Sequence, residues 1–454
     1  MKRNYLKRIL ILTLSAALTI TALTGCGSSG SGSSGSSDKI TASDLNKNPK
    51  DYKGTITMWS FTDEFKTSKF FDEFHKEYPN IKINLTVIPM DNNAYSTKLA
   101  SVLSSGSGAP DVYTTEAAFV NRFVNMPYYE NLSKAPYNAE DIAKNLVKYT
   151  VDVGRNQSDN GIRALSWQAT PGGIFYRRSL AKKYFGTDDP AAISQKFSSW
   201  DSLIAAGKEL NEKSGGTVKL LPNYAEVYTI ATGSRQHAWV ENNKLVIDPN
   251  MMKYVDYAKQ IRDAGIDDKL TAWSAPWSAG MAGPVNGKSI FGYVLPTWGL
   301  QSCLVTNAPK TSGDWGLANA PANYYAGGTW IGMYSKSKNK ALAWQLIKFM
   351  TTQKFGTWEA KAHSDFVSNL GSIKELATSD AGNSAFAGGQ NLFKTYNSML
   401  PSINGKLITK YDETINSKFQ DDLDLYITGK KTKDEFLKQF KADVKTAFPD
   451  LTVD

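Results

Sequence analysis

Histidine and cysteine are close to missing from this chain, with three of one and two of the other in 454 residues. His75, His237 and His363 are scattered, which leaves little room for a histidine metal cluster, and each reads as a surface or packing residue. Cys26 and Cys303 exclude both a disulfide-stapled small scaffold and a cysteine-based zinc site. No metal site or cofactor is expected. Apart from Ile9–Leu23, no segment approaches the length of a membrane span. Phosphate-loop chemistry is also missing: in Gly283-Pro284-Val285-Asn286-Gly287-Lys288-Ser289 only three residues separate the glycines, where four are needed. No G-x-S-x-G turn occurs, and Cys303 has no histidine partner suggested by the sequence. No internal repeat is present.

The formal charge of +9 overstates any basic face. Without Lys2, Arg3, Lys7 and Arg8 it falls to about +5. The densest basic patch, Lys430-Lys431-Thr432-Lys433, runs straight into Asp434 and Glu435, which fits a solvated helix entrance and not a nucleic-acid surface. Nucleic acid is therefore not expected as a partner.

What is present begins at the N-terminus. A basic stretch precedes an apolar run of about fifteen residues, and Leu23-Thr24-Gly25-Cys26 closes it with a cysteine behind two small residues. The order resembles a bacterial lipoprotein signal. The resemblance implies cleavage before Cys26, lipidation of its thiol, and a protein held on the extracellular face of a membrane. Gly27–Ser37 is all glycine and serine, a flexible tether of roughly 20 Å root-mean-square reach. Residues 1–25 read as signal and 26–50 as anchor and linker. The remaining globule, with 41% apolar residues in the whole chain, is too long for one core and suggests two domains.

Thr55–Trp59 reads as a buried strand, followed by a helix carrying Phe70, Phe71, Phe74 and Tyr78. Ile81–Val87 alternates strictly, a helix covers about Tyr95–Ser104, and Asp111-Val112-Tyr113 starts a third strand. This β-α-β-α-β rhythm predicts a parallel sheet with helices on both faces, whose ligand-facing ends are Trp59-Ser60-Phe61 and Thr114-Thr115-Glu116. Downstream, Ser198 is read as an N-cap with Asp201 at the third helical position. Further helices are expected at Asp256–Ala264, behind Asn339, and at the C-terminus, where Thr432 and Glu435 form a capping box. Ser289–Val294 and Trp315–Ala320 read as strands.

Several segments, in order, resemble family 1 extracellular solute-binding proteins, the maltose-binding-protein-like receptors of ABC importers. They are Lys98-Leu99 with Gly108-Ala109-Pro110-Asp111-Val112, and Ala164-Leu165-Ser166-Trp167 leading to Phe175-Tyr176-Arg177-Arg178-Ser179-Leu180. Ser199-Trp200-Asp201, Gly287-Lys288-Ser289 through Trp298, Gly327–Met333 and Ser335–Lys340 follow. The resemblance spans about Thr55 to Phe448. It implies an α/β fold of the two-lobed periplasmic-binding-protein type (type II), with discontinuous lobes joined by hinge strands. The N-terminal lobe would comprise 51–171 and 322–366, and the C-terminal lobe 172–321 and 367–454. Crossings would lie near Gly172–Tyr176, Trp315–Pro321 and Ser364–Ser372. The implied partners are an oligosaccharide and the transmembrane subunits of an ABC permease, with the protein acting as a monomer and not as an enzyme. A receptor for a non-sugar solute and a surface glycan-active enzyme are the alternatives.

A pyranose presents C–H faces and a rim of hydroxyls, so its site needs flat aromatics together with carboxylates and amides. Trp200, Trp315, Trp344 and Trp358 read as structural. Trp298 matches the family's sugar-stacking tryptophan after the Gly-Lys strand, and Trp330 follows Gly327 and Gly328, where a backbone can approach a ligand closely. Trp59, Trp167, Trp239, Trp273, Trp277 and Tyr224 complete the aromatic candidates. The polar candidates are Glu116, Gln168, Asp63 and Asp365, with Gly328 at the turn. Asp111 reads as structural. Tyr324-Tyr325 resembles the adjacent tyrosines of ferric-binding relatives, but packing beside the glycine turn accounts for it.

Overall fold

The computed structural model describes residues 40–454; the signal segment, Cys26 and the Gly/Ser tract lie outside the described residues. No helix among the described residues is long and apolar enough to cross a membrane. The globule begins earlier than the linker boundary at residue 50 suggests, because Leu45 is buried and its carbonyl accepts from Gln345 Nε2.

Nine strands build two sheets: β1 Gly54–Ser60, β2 Ile81–Val87, β3 Val112–Glu116, β4 Leu165–Ser166, β5 Pro171–Arg177, β6 Gly292–Pro296, β7 Trp315–Ala318, β8 Tyr324–Tyr325 and β9 Thr329–Met333. The first sheet runs β2-β1-β3-β9-β4. Ile56 and Met58 of β1 bury one face while Trp59 lies half-buried on the other, the period of two that a covered sheet requires. β1 pairs in parallel with β2 and β3, as the β-α-β-α-β rhythm predicts. The sheet as a whole is mixed, because β9 enters antiparallel between β3 and β4. Local periodicity cannot show a strand contributed from more than 200 residues downstream.

Asp111 joins these parts. Its Oδ2 accepts from the Thr57 backbone N–H and hydroxyl, and its Oδ1 from Ser337 and Asn339. The second sheet centres on β5, flanked antiparallel by β6 and β7, with β8 also pairing β5 near its start.

The chain passes between the two sheets at three places. Trp315–Ala318 pairs within the second sheet, and the chain crosses about ten residues later, between β8 and β9. Gly327 and Gly328 take φ of +71° and +104° there, conformations that side chains disfavour. The other links run from β4 to β5 and through residues 364–369, where Gln168 bridges Val367.

The helix Trp200–Lys213 is capped by Ser199, which accepts from the Ser202 N–H, so Ser198 is not the cap and Asp201 falls one position short of a capping box. The helix predicted over 256–264 starts earlier, at Pro249, behind an Asp248 cap. Thr432 and Glu435 form the reciprocal capping box at the head of Lys433–Ala447.

Candidate functional site

A cavity of about 450 Å³ opens at the carboxyl ends of β1 and β3, where open α/β sheets place their ligands. Phe61, Asp63, Glu64, Glu116, Gln168, Glu359, His363 and Asp365 line it from the first sheet and the segments packed on it, one wall by origin; Thr297, Trp298, Gln301 and Ser302 line it from the segment after β6 of the second sheet; Gly327, Gly328 and Thr329 come from the link between the sheets. An aromatic cluster of the core packs next to the segment that carries Glu64. Trp167 meets Phe65 and Phe70 edge-on at 5.1 and 5.8 Å, which fixes the short helix Glu64–Thr67 against the hinge segment. A larger groove of about 680 Å³, lined by Leu146, Val147, Val151, Leu370 and Leu400, lies elsewhere. It holds no tryptophan and no converging carboxylates, so its size does not make it the better site.

Three carboxylates converge in the cavity. Oxygens of Glu64, Glu359 and Asp365 lie within 4.8 Å of one another. Gln168 Nε2 donates to Asp365 Oδ2 at 2.9 Å and to Glu64 Oε1 at 3.3 Å, while His363 Nδ1 lies 2.8 Å from Glu359 Oε2. Glu359 is fully buried, and its Oε1 has no hydrogen-bond partner. No lysine or arginine is among the lining residues. Burial first, then the charges of Asp365 and Glu64, pushes Glu359 up to about 10. Burial also lifts Glu64, with Asp365 and Asp63 adding to it, and lifts Asp365 against the lowering effect of its hydrogen bonds from Gln168 and the Phe366 N–H. Glu116 rises to about 7 through burial, held back by the Ala118 and Ala117 N–H groups. Burial lowers His363.

The sign of the consequence follows directly. A carboxyl raised in the folded state keeps a proton that the unfolded chain releases, so its contribution is intact below about pH 4 and declines as pH rises toward the folded value. Glu359→Gln removes the most shifted of these groups. The melting temperature of the variant minus that of the parent should therefore become more positive from about pH 5 to about pH 8. A difference that stays flat over that range would show that Glu359 is ionised in the fold.

Trp298 is half-buried at the opposite wall, anchored by its indole N–H to the Ala326 carbonyl at 3.0 Å. A Cβ on Gly327 would lie 2.5 Å from Trp298 Nε1, so glycine is required for the hinge to approach this ring. Trp273 stacks on Trp298 with ring centroids 5.9 Å apart and planes at 19°, is 65% exposed, and has φ of +67°. A bulky residue in the left-handed region carries backbone strain that the surrounding structure must hold, which keeps Trp273 among the candidates.

Five other aromatic candidates belong to the core. Trp330 is 1% exposed and donates to the Thr150 carbonyl; its strand turns the ring away from the cavity. Trp167 is 1% exposed and packs against Phe65 and Phe70. Trp239 donates to Asn416, Trp277 to Glu226 and Tyr224 to Asp424, all buried. Trp59 is half-buried under Lys98 and does not line the cavity. Tyr324 is buried and donates to the Gly173 carbonyl, which removes it from any metal chemistry.

The structure brings together Trp298, Glu116, Gln168, Asp63, Gly328 and Asp365 around the cavity, with Trp273 stacked on Trp298. The sequence reading missed Glu64, Glu359 and His363. Glu359 had a usable signal: it stands four residues after Phe355 on the buried face of an amphipathic helix, where an acid needs a reason.

A family profile described as bacterial extracellular solute-binding protein matches residues 60–356. Among solved structures, an extracellular solute-binding protein of family 1 is 20% identical, with a TM-score of 0.76 over 87% of this chain and 99% of its own. The galacto-N-biose/lacto-N-biose I-binding protein of an ABC transporter from Bifidobacterium longum, solved with lacto-N-biose, is 17% identical with a TM-score of 0.70, covering 88% and 99% of the two chains. The GacH receptor of Streptomyces glaucescens, solved unliganded and with acarbose, is 18% identical with a TM-score of 0.67, covering 88% and 100%. At these identities the likeness is one of fold.

Proposed function

The chain belongs to the bacterial extracellular solute-binding protein family, and on that premise we propose that it is the lipid-anchored receptor of an ABC importer, capturing an oligosaccharide between two lobes. The observation that carries this reading is that one cavity is lined both by the aromatic ring of Trp298 and by carboxylates and an amide. The ring suits the C–H face of a pyranose and the polar groups its hydroxyl rim. The Bifidobacterium and Streptomyces proteins of the same fold, with lacto-N-biose and acarbose, support it.

The lobes in this reading are 51–171 with 322–366, and 172–321 with 367–454. Solute that touches both walls favours the closed arrangement over the open one, and the closed form is what the permease receives. Lipidated Cys26 and the Gly/Ser tether keep the receptor on the outer face of a Gram-positive membrane, within reach of the permease. The surface-enzyme alternative is disfavoured by placement. Glycoside hydrolysis needs carboxylates on both sides of the scissile bond, whereas Thr297, Trp298, Gln301 and Ser302 leave the second wall without an acid.

Isothermal titration against a panel of neutral and amino oligosaccharides, with product analysis of each mixture, tests the reading. At least one glycan should bind saturably in the micromolar range, about −8 kcal/mol, and emerge unchanged. Absence of saturable heat with every glycan would contradict the sugar reading, and released product would establish the enzyme.

A further inference from the structure

We infer that the solute bears a free amino group and that Glu64, Glu359 and Asp365 receive it; the inference rests on the sugar-receptor reading and names the class of sugar. Hydroxyl recognition asks for acceptors spread around a ring, whereas these three carboxylates converge, with oxygens within 4.8 Å of one another. An alkylammonium has three N–H donors and no acceptor, which matches a point where three carboxylates meet. Asp365 and half-buried Glu64 stand at the cavity, and Glu359 lies against them, fully buried, with Oε1 unpartnered.

Once the cluster ionises, no cationic side chain among the described lining residues offsets its charge. No lysine or arginine lines the cavity, and Asp63 and Glu116 add two further acids to the same wall. Among the described residues, His363 is the base beside the group, and burial lowers it toward the neutral form. A cationic solute supplies what the wall lacks.

The cluster is also organised around a nitrogen donor. Gln168 Nε2 sits between Asp365 and Glu64 and donates to both. A divalent metal would want an acceptor there, whereas an ammonium extends the same donor-to-carboxylate pattern. Burial keeps protons on this cluster while it has no cation beside it, so an arriving ammonium displaces protons to solvent.

The test is titration calorimetry of the lipid-free chain with β-1,4-linked glucosamine oligomers, their N-acetylated counterparts, neutral glucose oligomers and calcium chloride. Each is run in two buffers of different protonation enthalpy. The un-acetylated oligomers should bind at least about tenfold more tightly than the acetylated ones, the worth of one lost charge-assisted contact, with a buffer-dependent heat showing proton release. Asp365→Asn and Glu359→Gln should each reduce that preference toward parity; their melting curves report whether each variant is folded. A neutral or acetylated oligomer binding as tightly as the amino form would overturn the inference and leave the sugar reading standing. No glycan binding would end both. Saturable calcium binding that is lost in Glu359→Gln would make the cluster a metal site and overturn the inference.

Discussion

Trp298→Ala should weaken solute binding by about 2–4 kcal/mol, the range for a large aromatic anchor at the centre of a contact, while the chain still folds. Two features set that expectation. The ring is half-buried at the wall opposite the carboxylates, and its orientation is fixed by the hydrogen bond to the Ala326 carbonyl, so it meets a solute already in place. Trp273 stacked behind it extends the same platform into solvent. The check is titration calorimetry of parent and variant with the tightest-binding glycan of the panel, beside a melting curve. Unchanged affinity would remove Trp298 from the site.

Trp330→Ala should behave in the opposite way. The side chain is 1% exposed within the first sheet, and its indole N–H satisfies the buried Thr150 carbonyl at 2.7 Å. Truncation leaves a cavity of indole size and an unpaired acceptor, costing about 3–5 kcal/mol of folding stability. The unfolding midpoint in urea should fall accordingly, while any variant that remains folded keeps its affinity. A folded variant that loses affinity without losing stability would return Trp330 to the binding surface.

These two tryptophans show what the sequence could and could not say. Both follow family-like glycine motifs, and both sit where a ring could face a cleft. What separates them is strand parity: Thr329 and Ile331 flank Trp330 on a strand buried on both faces, and which face meets the cavity depends on β3 and β4, distant in sequence. Trp298 follows the last residue of β6, beyond the reach of that alternation.

The fold was legible to a similar depth. β1 to β3 and the intervening helices follow from periodicity, and the capping box at Thr432 from four letters. The insertion of β9 was not legible from local pattern, because the pairing Trp330↔Thr115 joins residues more than 200 apart. Among the polar candidates, Glu116 was named from its strand end, with Gln168, Asp63 and Asp365 after it, and all four line the cavity. Glu359 was hidden because its helix reads as a packing element through Phe355 and Trp358, and its acid points inward from that same face.

Hydrogen–deuterium exchange with and without the bound glycan reads which segments the solute touches. Protection should appear together in Phe61–Ser68, in Trp298–Ser302 and in the Gly327–Thr329 turn. Protection confined to one wall, or centred on the groove at Val147, Leu370 and Leu400, would contradict that placement of the solute.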